Sequence, residues 1–171
     1  MLKYLRNLFK SSKSNKVNLL SSEIAITEKI ARSIFSPVNV TKSNTLRANA
    51  YKSPANIDEV SVNRLDYTTA NFIKKLSKKI ATPPKREYFG FAILSKSDII
   101  DCDADVVYSP ILEPKENLNI YHSDIKVGFI KEKGQELPAE INYKVSKLIE
   151  KSRFYIDPNP NTENWTGDDL K

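Results

Sequence analysis

A chain of 171 residues, 40% of them hydrophobic, has the apolar material for one folded core and excludes a collagen or a disordered chain. No apolar run approaches the roughly 18 residues of a membrane-crossing helix, one cysteine (Cys102) excludes an internal disulfide, and one histidine with one cysteine excludes the usual His/Cys zinc site. The net charge of +6 is uneven: Lys3, Arg6, Lys10, Lys13 and Lys16, with no acid among residues 1–16, leave only +1 for the remainder, so the body is not generally basic.

Residues 1–10 suit a short amphipathic helix, with Leu2, Leu5, Leu8 and Phe9 on one side and Lys3, Arg6 and Lys10 on the other. So short a helix is marginal alone, so it docks on its own domain, a membrane surface or a partner. Charges interrupt its apolar residues and no small-residue cleavage site follows, so the expected location is the cytoplasm. A helix is predicted over Ser22–Phe35, where Ile26, Ile30, Ala31, Ile34 and Phe35 recur at helical spacing and Pro37 follows. Residues 36–57 show no period and read as a surface-crossing segment, a binding loop or an unrecognised element.

Asp58–Tyr67 reads as a strand in which Val60 and Val62 alternate with Ser61 and Asn63. The alternation puts Arg64 and Asp66 in the valines' phase, so either the strand leaves the core there or partners hold the charges inside. Thr68 or Thr69 caps a helix to about Ala81 with Phe72, Ile73, Leu76 and Ile80 as its apolar stripe. Tyr88–Leu94 is apolar on both faces, the mark of a central, doubly covered strand: Phe89, Phe91 and Ile93 oppose Tyr88, Ala92 and Leu94. Asp105–Ser109 is a shorter strand and Glu113–Asn119 a polar loop. Ile120–Ile130 alternates, with Tyr121, Ser123, Ile125, Val127 and Phe129 opposite His122, Asp124 and Lys126. Pro138 opens a last helix to about Tyr155, striped by Ile141, Val145, Leu148 and Ile149.

The expected architecture is therefore α+β: a mainly antiparallel sheet of about four strands covered by about three helices. A basic segment, 1–21, precedes the domain at 22–156, and an acidic tail, 157–171, with Trp165 follows it.

With four glycines, at 90, 128, 134 and 167, the chain has no phosphate-cradling loop and no glycine-flanked serine elbow. The candidate catalytic residues are therefore polar groups on predicted strands. His122 and Asp124, two apart, project together and suit proton transfer or phosphate binding, unless they only form a solvated strand face. Arg64 and Asp66 suit a buried charged site, or an ion pair with no catalytic part. Asp98, Asp101, Asp103 and Asp105 lack the glycine and glutamate of an EF-hand and read as a solvated turn, with a magnesium site on two of the acids as the alternative. Lys74, Lys75, Lys78, Lys79, Lys85 and Arg86 are a wet helix face or a nucleic-acid groove.

The leading expectation is a non-catalytic interaction protein that docks a protein partner through its terminal segments and loops, with no cofactor. The alternatives are a small enzyme acting on a phosphate-bearing or nucleotide substrate, and a nucleic-acid-binding accessory protein.

Overall fold

The stretch predicted as a helix over Ser22–Phe35 is instead the centre of a sheet: Lys29–Ser36 form strand β1 in the computed structural model, which describes residues 17–170. The helix expected over residues 1–10 lies outside the described residues. β1 is hydrogen-bonded on both sides and covered on both faces, so Ile30, Ala31, Ile34 and Phe35 are all buried. A strand buried on both faces loses its period-two signature, and its apolar run also fits a helix.

Eight further regular elements follow: β2 (Val60–Arg64), α1 (Ala70–Ile80), β3 (Glu87–Ser95), α2 (Lys96–Ile100), β4 (Asp105–Tyr108), β5 (His122–Lys126), α3 (Ala139–Lys151) and β6 (Arg153–Ile156). The six strands form one sheet in the order β4-β5-β2-β1-β3-β6, with every adjacent pair antiparallel. The α+β class is as expected, but the sheet has six strands rather than about four, because β1 and β6 both read as helix. β6 follows α3 after Ser152 alone, so Phe154 and Tyr155 look like a continuation of the helical stripe. Among the described residues no helix is long and apolar enough to cross a membrane.

One face of the sheet presents Ile30, Ile34, Val60, Val62 and Ile125 to α2, α3 and the segment around Ala50 and Tyr51. The other packs Ala31, Phe35, Phe91 and Ile93 against Ile73 of α1 and against Leu170. Residues 36–57 are thus a cover rather than a bare loop. Tyr51 is fully buried, its hydroxyl 2.7 Å from Ser152 Oγ, and Val40 bridges Leu46. β3 is the doubly covered strand that its composition predicts, with one change of phase. Its register against β1 slips between Ile34↔Gly90 and Phe35↔Tyr88, so Phe89 is an extra residue. Such a bulge inverts the alternation, and Tyr88 joins Phe91 and Ile93 rather than Ala92 and Leu94.

α1 starts at its predicted cap, where Thr69 Oγ1 accepts the Phe72 N–H at 3.2 Å. Its buried stripe is rotated from the expected one. Ile73, Lys74 and Ser77 are buried, while Ile80 is 54% exposed. Lys74 is the cause: its ammonium is enclosed by Asp157 Oδ2 at 2.8 Å and the carbonyls of Asn159 and Asn164 at 2.9 and 2.7 Å. These contacts fold the C-terminal segment back over α1. Trp165 rests 5.2 Å from Phe91, ring centre to ring centre.

Candidate functional site

β1 and β2 pair only at Ile30↔Arg64 and Ala31↔Asn63, and then diverge. Past that point Arg32 does with its side chain what the β1 backbone would otherwise do. Its Nη1 donates to Ser61 O at 2.7 Å, satisfying a carbonyl left open by the splay, and its Nε donates to Ala50 O at 3.0 Å. The divergence opens a cavity of about 540 Å3 on the polar side of β2 and β5. Ser33, Ser61, Asn63 and His122 form its strand-borne floor. α1, the segment from Val38 to Pro54 and the loop from Ile111 to Asn119 supply walls, and Arg86, at the start of β3's approach, completes it.

The cavity is rich in cations. Arg32, Arg86, Lys52 and Lys79 line it against one carboxylate, Glu59, which is 3.1 Å from Lys126. Among the described residues no carboxylate oxygen lies within 4.0 Å of either guanidinium. Burial pushes the Arg32 pKa down to about 10; Arg86 adds to that shift, while Tyr51 and Asp124 oppose it. Burial lowers Arg86 as well. Its guanidinium lies 3.9 Å over the Phe35 ring and donates no hydrogen bond among the described residues. A desolvated cation without an anion is costly, so this cavity favours a negatively charged guest.

A relay of amides sets a third donor. Asn119 Oδ1 accepts the Tyr121 N–H at 3.1 Å, which fixes the orientation of that amide and points its Nδ2 at Asn63 Oδ1, 2.7 Å away. Asn63 must then turn its own Nδ2 elsewhere, and that group has no partner among the described residues while the side chain lines the cavity.

His122 stands beside Asn63 across the β2–β5 pair. Its Nδ1 is 2.7 Å from the Ser109 carbonyl, which can only accept, so Nδ1 carries the proton. Nε2 lies 3.8 Å from Asp124 Oδ1, beyond hydrogen-bonding reach, and Asp124 Oδ2 accepts from Ser109 Oγ at 2.5 Å. Ser109, His122 and Asp124 are therefore one hydrogen-bonded group. The serine hydroxyl is spent on the carboxylate rather than aimed at Nε2, so the group is not a nucleophilic triad.

The sheet brings His122 and Asp124 together as their spacing predicts, but not with Arg64 and Asp66. Arg64 keeps the phase of Val60 and Val62, away from the cavity, and is fully buried. Its Nε and Nη2 donate to the two carboxylate oxygens of Glu28 at 2.5 and 2.8 Å, and the Ser21 and Glu23 carbonyls take two more bonds at 2.5 and 3.1 Å. Those bonds to Glu28 raise its pKa against the opposing effect of burial. Asp66 is exposed, because β2 ends at Arg64 and a 3-10 turn, Leu65–Tyr67, breaks the alternation; it accepts the Lys29 N–H at 3.2 Å.

The six cations of 74–86 are divided rather than forming one face. Lys74 is buried; Lys78 donates to the carbonyls of Asn161 and Thr162 at 2.8 and 2.9 Å. Lys79, which also donates to Glu116 O, and Arg86 line the cavity, while Lys75 and Lys85 are exposed. Of the aspartate ladder, Asp98 completes the capping box that Ser95 begins at the start of α2, Asp101 and Asp103 reach Lys151 and Lys147, and Asp105 turns back to the Val106 N–H at 2.7 Å. No group of three metal-ligating side chains occurs among the described residues.

Arg32 and Asn63 are the site residues that sequence reasoning misses. The one signal for Arg32 is a charge inside a run, Ile30 to Phe35, that is otherwise apolar but for Ser33; for Asn63 there is none, since its role depends on Asn119. The chain matches no protein-family model, and neither the curated proteins nor the solved structures give a significant match, so any functional reading rests on this geometry.

Proposed function

We propose that this protein binds a small phosphate-bearing ligand in the cavity between the splayed strands β1 and β2. The observation that carries the reading is the pair Arg32 and Arg86, two guanidiniums in one cavity with no carboxylate in contact among the described residues. Guanidinium N–H groups match phosphate oxygens in geometry as well as charge. A phosphoryl group has three terminal oxygens, one for each of Arg32, Arg86 and the oriented Asn63 amide. A cavity near 540 Å3 is of small-molecule size.

The test is calorimetric titration of the purified protein with inorganic phosphate and simple phosphate monoesters, beside Arg86→Met and Asn63→Asp. Binding by the wild-type chain that weakens at least tenfold in both variants supports the reading. No binding at millimolar phosphate or phosphate ester, or equal binding by Arg86→Met, overturns it.

A catalytic form of the same reading is favoured by one further observation. With Nδ1 committed to the Ser109 carbonyl, Nε2 of His122 is the ring atom left to exchange a proton with a bound ligand, and Asp124 lies beside it. On this form His122→Ala retains ligand affinity within a few-fold while turnover of the phosphate-bearing substrate stops. Docking of a protein partner through the N-terminal segment is a separate proposal, resting on the charge and leucine pattern of residues 1–10. Its test is loss of association on deleting residues 1–16.

A further inference from the structure

Resting on the phosphate-binding reading, we infer that the ligand is a nucleoside monophosphate, its base held by the apolar side chains of the same cavity. The argument is a contrast between two kinds of side chain in one lining. One kind supplies charged and polar donors: Arg32, Arg86 and Asn63. The other is apolar and comes from three separate elements, Val38 from the segment after β1, Ile80 at the end of α1, and Ile111 beyond β4. Val38 and Ile80 are 39% and 54% exposed despite lining a concavity, so the fold leaves them for a guest to cover. A simple phosphorylated sugar, hydroxylated all over, gains nothing from such walls. A nucleobase has flat faces of low polarity and suits them.

Two amides complete the match. Asn49 and Asn117 line the cavity, and neither side chain has a hydrogen-bond partner among the described residues. A primary amide offers a donor and an acceptor side by side, the arrangement that pairs with a base edge. The ligand therefore has an anionic end and a flat body with mixed donors and acceptors at its rim.

The experiment compares AMP, GMP, CMP and UMP with ribose 5-phosphate and inorganic phosphate by calorimetry on the full chain, repeated on Ile80→Ser and Asn117→Ala. Both substitutions fall on exposed positions, and a thermal melt verifies that each variant is folded. The expected result is that at least one nucleotide binds ten times or more tightly than ribose 5-phosphate. Each rim variant should remove several-fold of that preference while ribose 5-phosphate affinity stays unchanged. Equal affinity for nucleotides and ribose 5-phosphate overturns this inference and leaves phosphate binding standing. Absence of binding by every phosphate compound overturns both. Tighter binding of a short single-stranded oligonucleotide than of any mononucleotide also overturns it, in favour of a nucleic-acid strand.

Discussion

Replacing Glu28 by Gln keeps the side chain's shape and removes its charge, which makes it a direct probe of why Arg64 is buried. Glu28 is 2% exposed and Arg64 0%, and the carboxylate takes two hydrogen bonds from the guanidinium. In the variant one oxygen becomes an NH2 that faces another donor. Arg64 keeps the remaining amide oxygen and the Ser21 and Glu23 carbonyls, all neutral, as hydrogen-bond acceptors, with the Tyr67 and Tyr108 rings 4.8 and 5.2 Å away. Leaving one member of a buried ion pair uncompensated costs about 3–5 kcal/mol. Domains of this kind have about 5–15 kcal/mol to lose. At about 2–4 °C per kcal/mol for a chain of this size, Glu28→Gln should melt some 6–20 °C lower. Urea unfolding should show the same loss at an unchanged slope. The double variant Glu28→Leu/Arg64→Met should lie within about 1–2 kcal/mol of wild type, because an apolar pair has no charge to strand. If Glu28→Gln costs less than about 1 kcal/mol, solvent reaches Arg64 and the buried-pair argument fails. If the double variant is as unstable as the single one, the contacts matter through shape, and the charge argument fails instead.

Gly90→Ala tests the edge of the sheet, since a Cβ there would collide with the Tyr155 carbonyl oxygen. β6 must move away from β3, so the variant should lose about 1–3 kcal/mol, and amide exchange in Arg153–Ile156 should accelerate more than exchange in β5. Unchanged exchange in β6 would mean that the strand pairing is not as described. Ser95→Ala removes the cap of α2, where Ser95 Oγ accepts the Asp98 N–H at 3.1 Å and donates to Asp98 Oδ2 at 2.6 Å; it should cost about 1 kcal/mol by chemical unfolding. Burial raises the Asp98 pKa, but the Ser95 hydrogen bonds and the charges of Lys151 and Arg153 together outweigh it and the net shift is downward. A lowered folded pKa gives stability that is present above the unfolded value, about 3.9, and is lost as pH falls through the folded one. The acid limb of the wild-type stability curve should therefore be steeper than that of Ser95→Ala, and parallel curves would refute the assignment.

Elements with two chemically distinct faces or one clean stripe were legible in the residues. β5 alternates because His122 and Asp124 sit opposite Ile125, and the burial of Ile141, Val145 and Leu148 repeats the predicted stripe of α3. What failed has a common physical origin in double coverage and shortness. β1 is buried on both faces; β6 has four residues and α2 has five, too few to show a period. For the site, the phase of His122 was legible and so was the anomaly at Arg64, a charge arriving where apolar residues belong. The answer to that anomaly was not, because Glu28 lies 36 positions away, in a stretch read as helix. Nor could the cavity be foreseen. It exists where β1 and β2 separate, and a strand's sequence does not state where its neighbour leaves it.

Three arginines on or beside adjoining strands show why burial alone does not mark a functional charge. Arg64 spends its hydrogen bonds on Glu28 and two carbonyls, so its environment is closed and its charge is already matched. Arg32 spends two N–H groups on carbonyls, which orient the guanidinium without neutralising it. Arg86 spends none on the described protein and is held by stacking on Phe35. Stacking is worth about 0.5–2 kcal/mol, less than a full charge loses when water is removed. Stability alone would favour replacing Arg86 by an apolar side chain, whereas replacing Arg64 alone would abandon Glu28. The sign of the stability change thus separates the two roles. A charge whose removal hardly weakens the fold, yet which the fold orients into a cavity, is placed for something outside the protein.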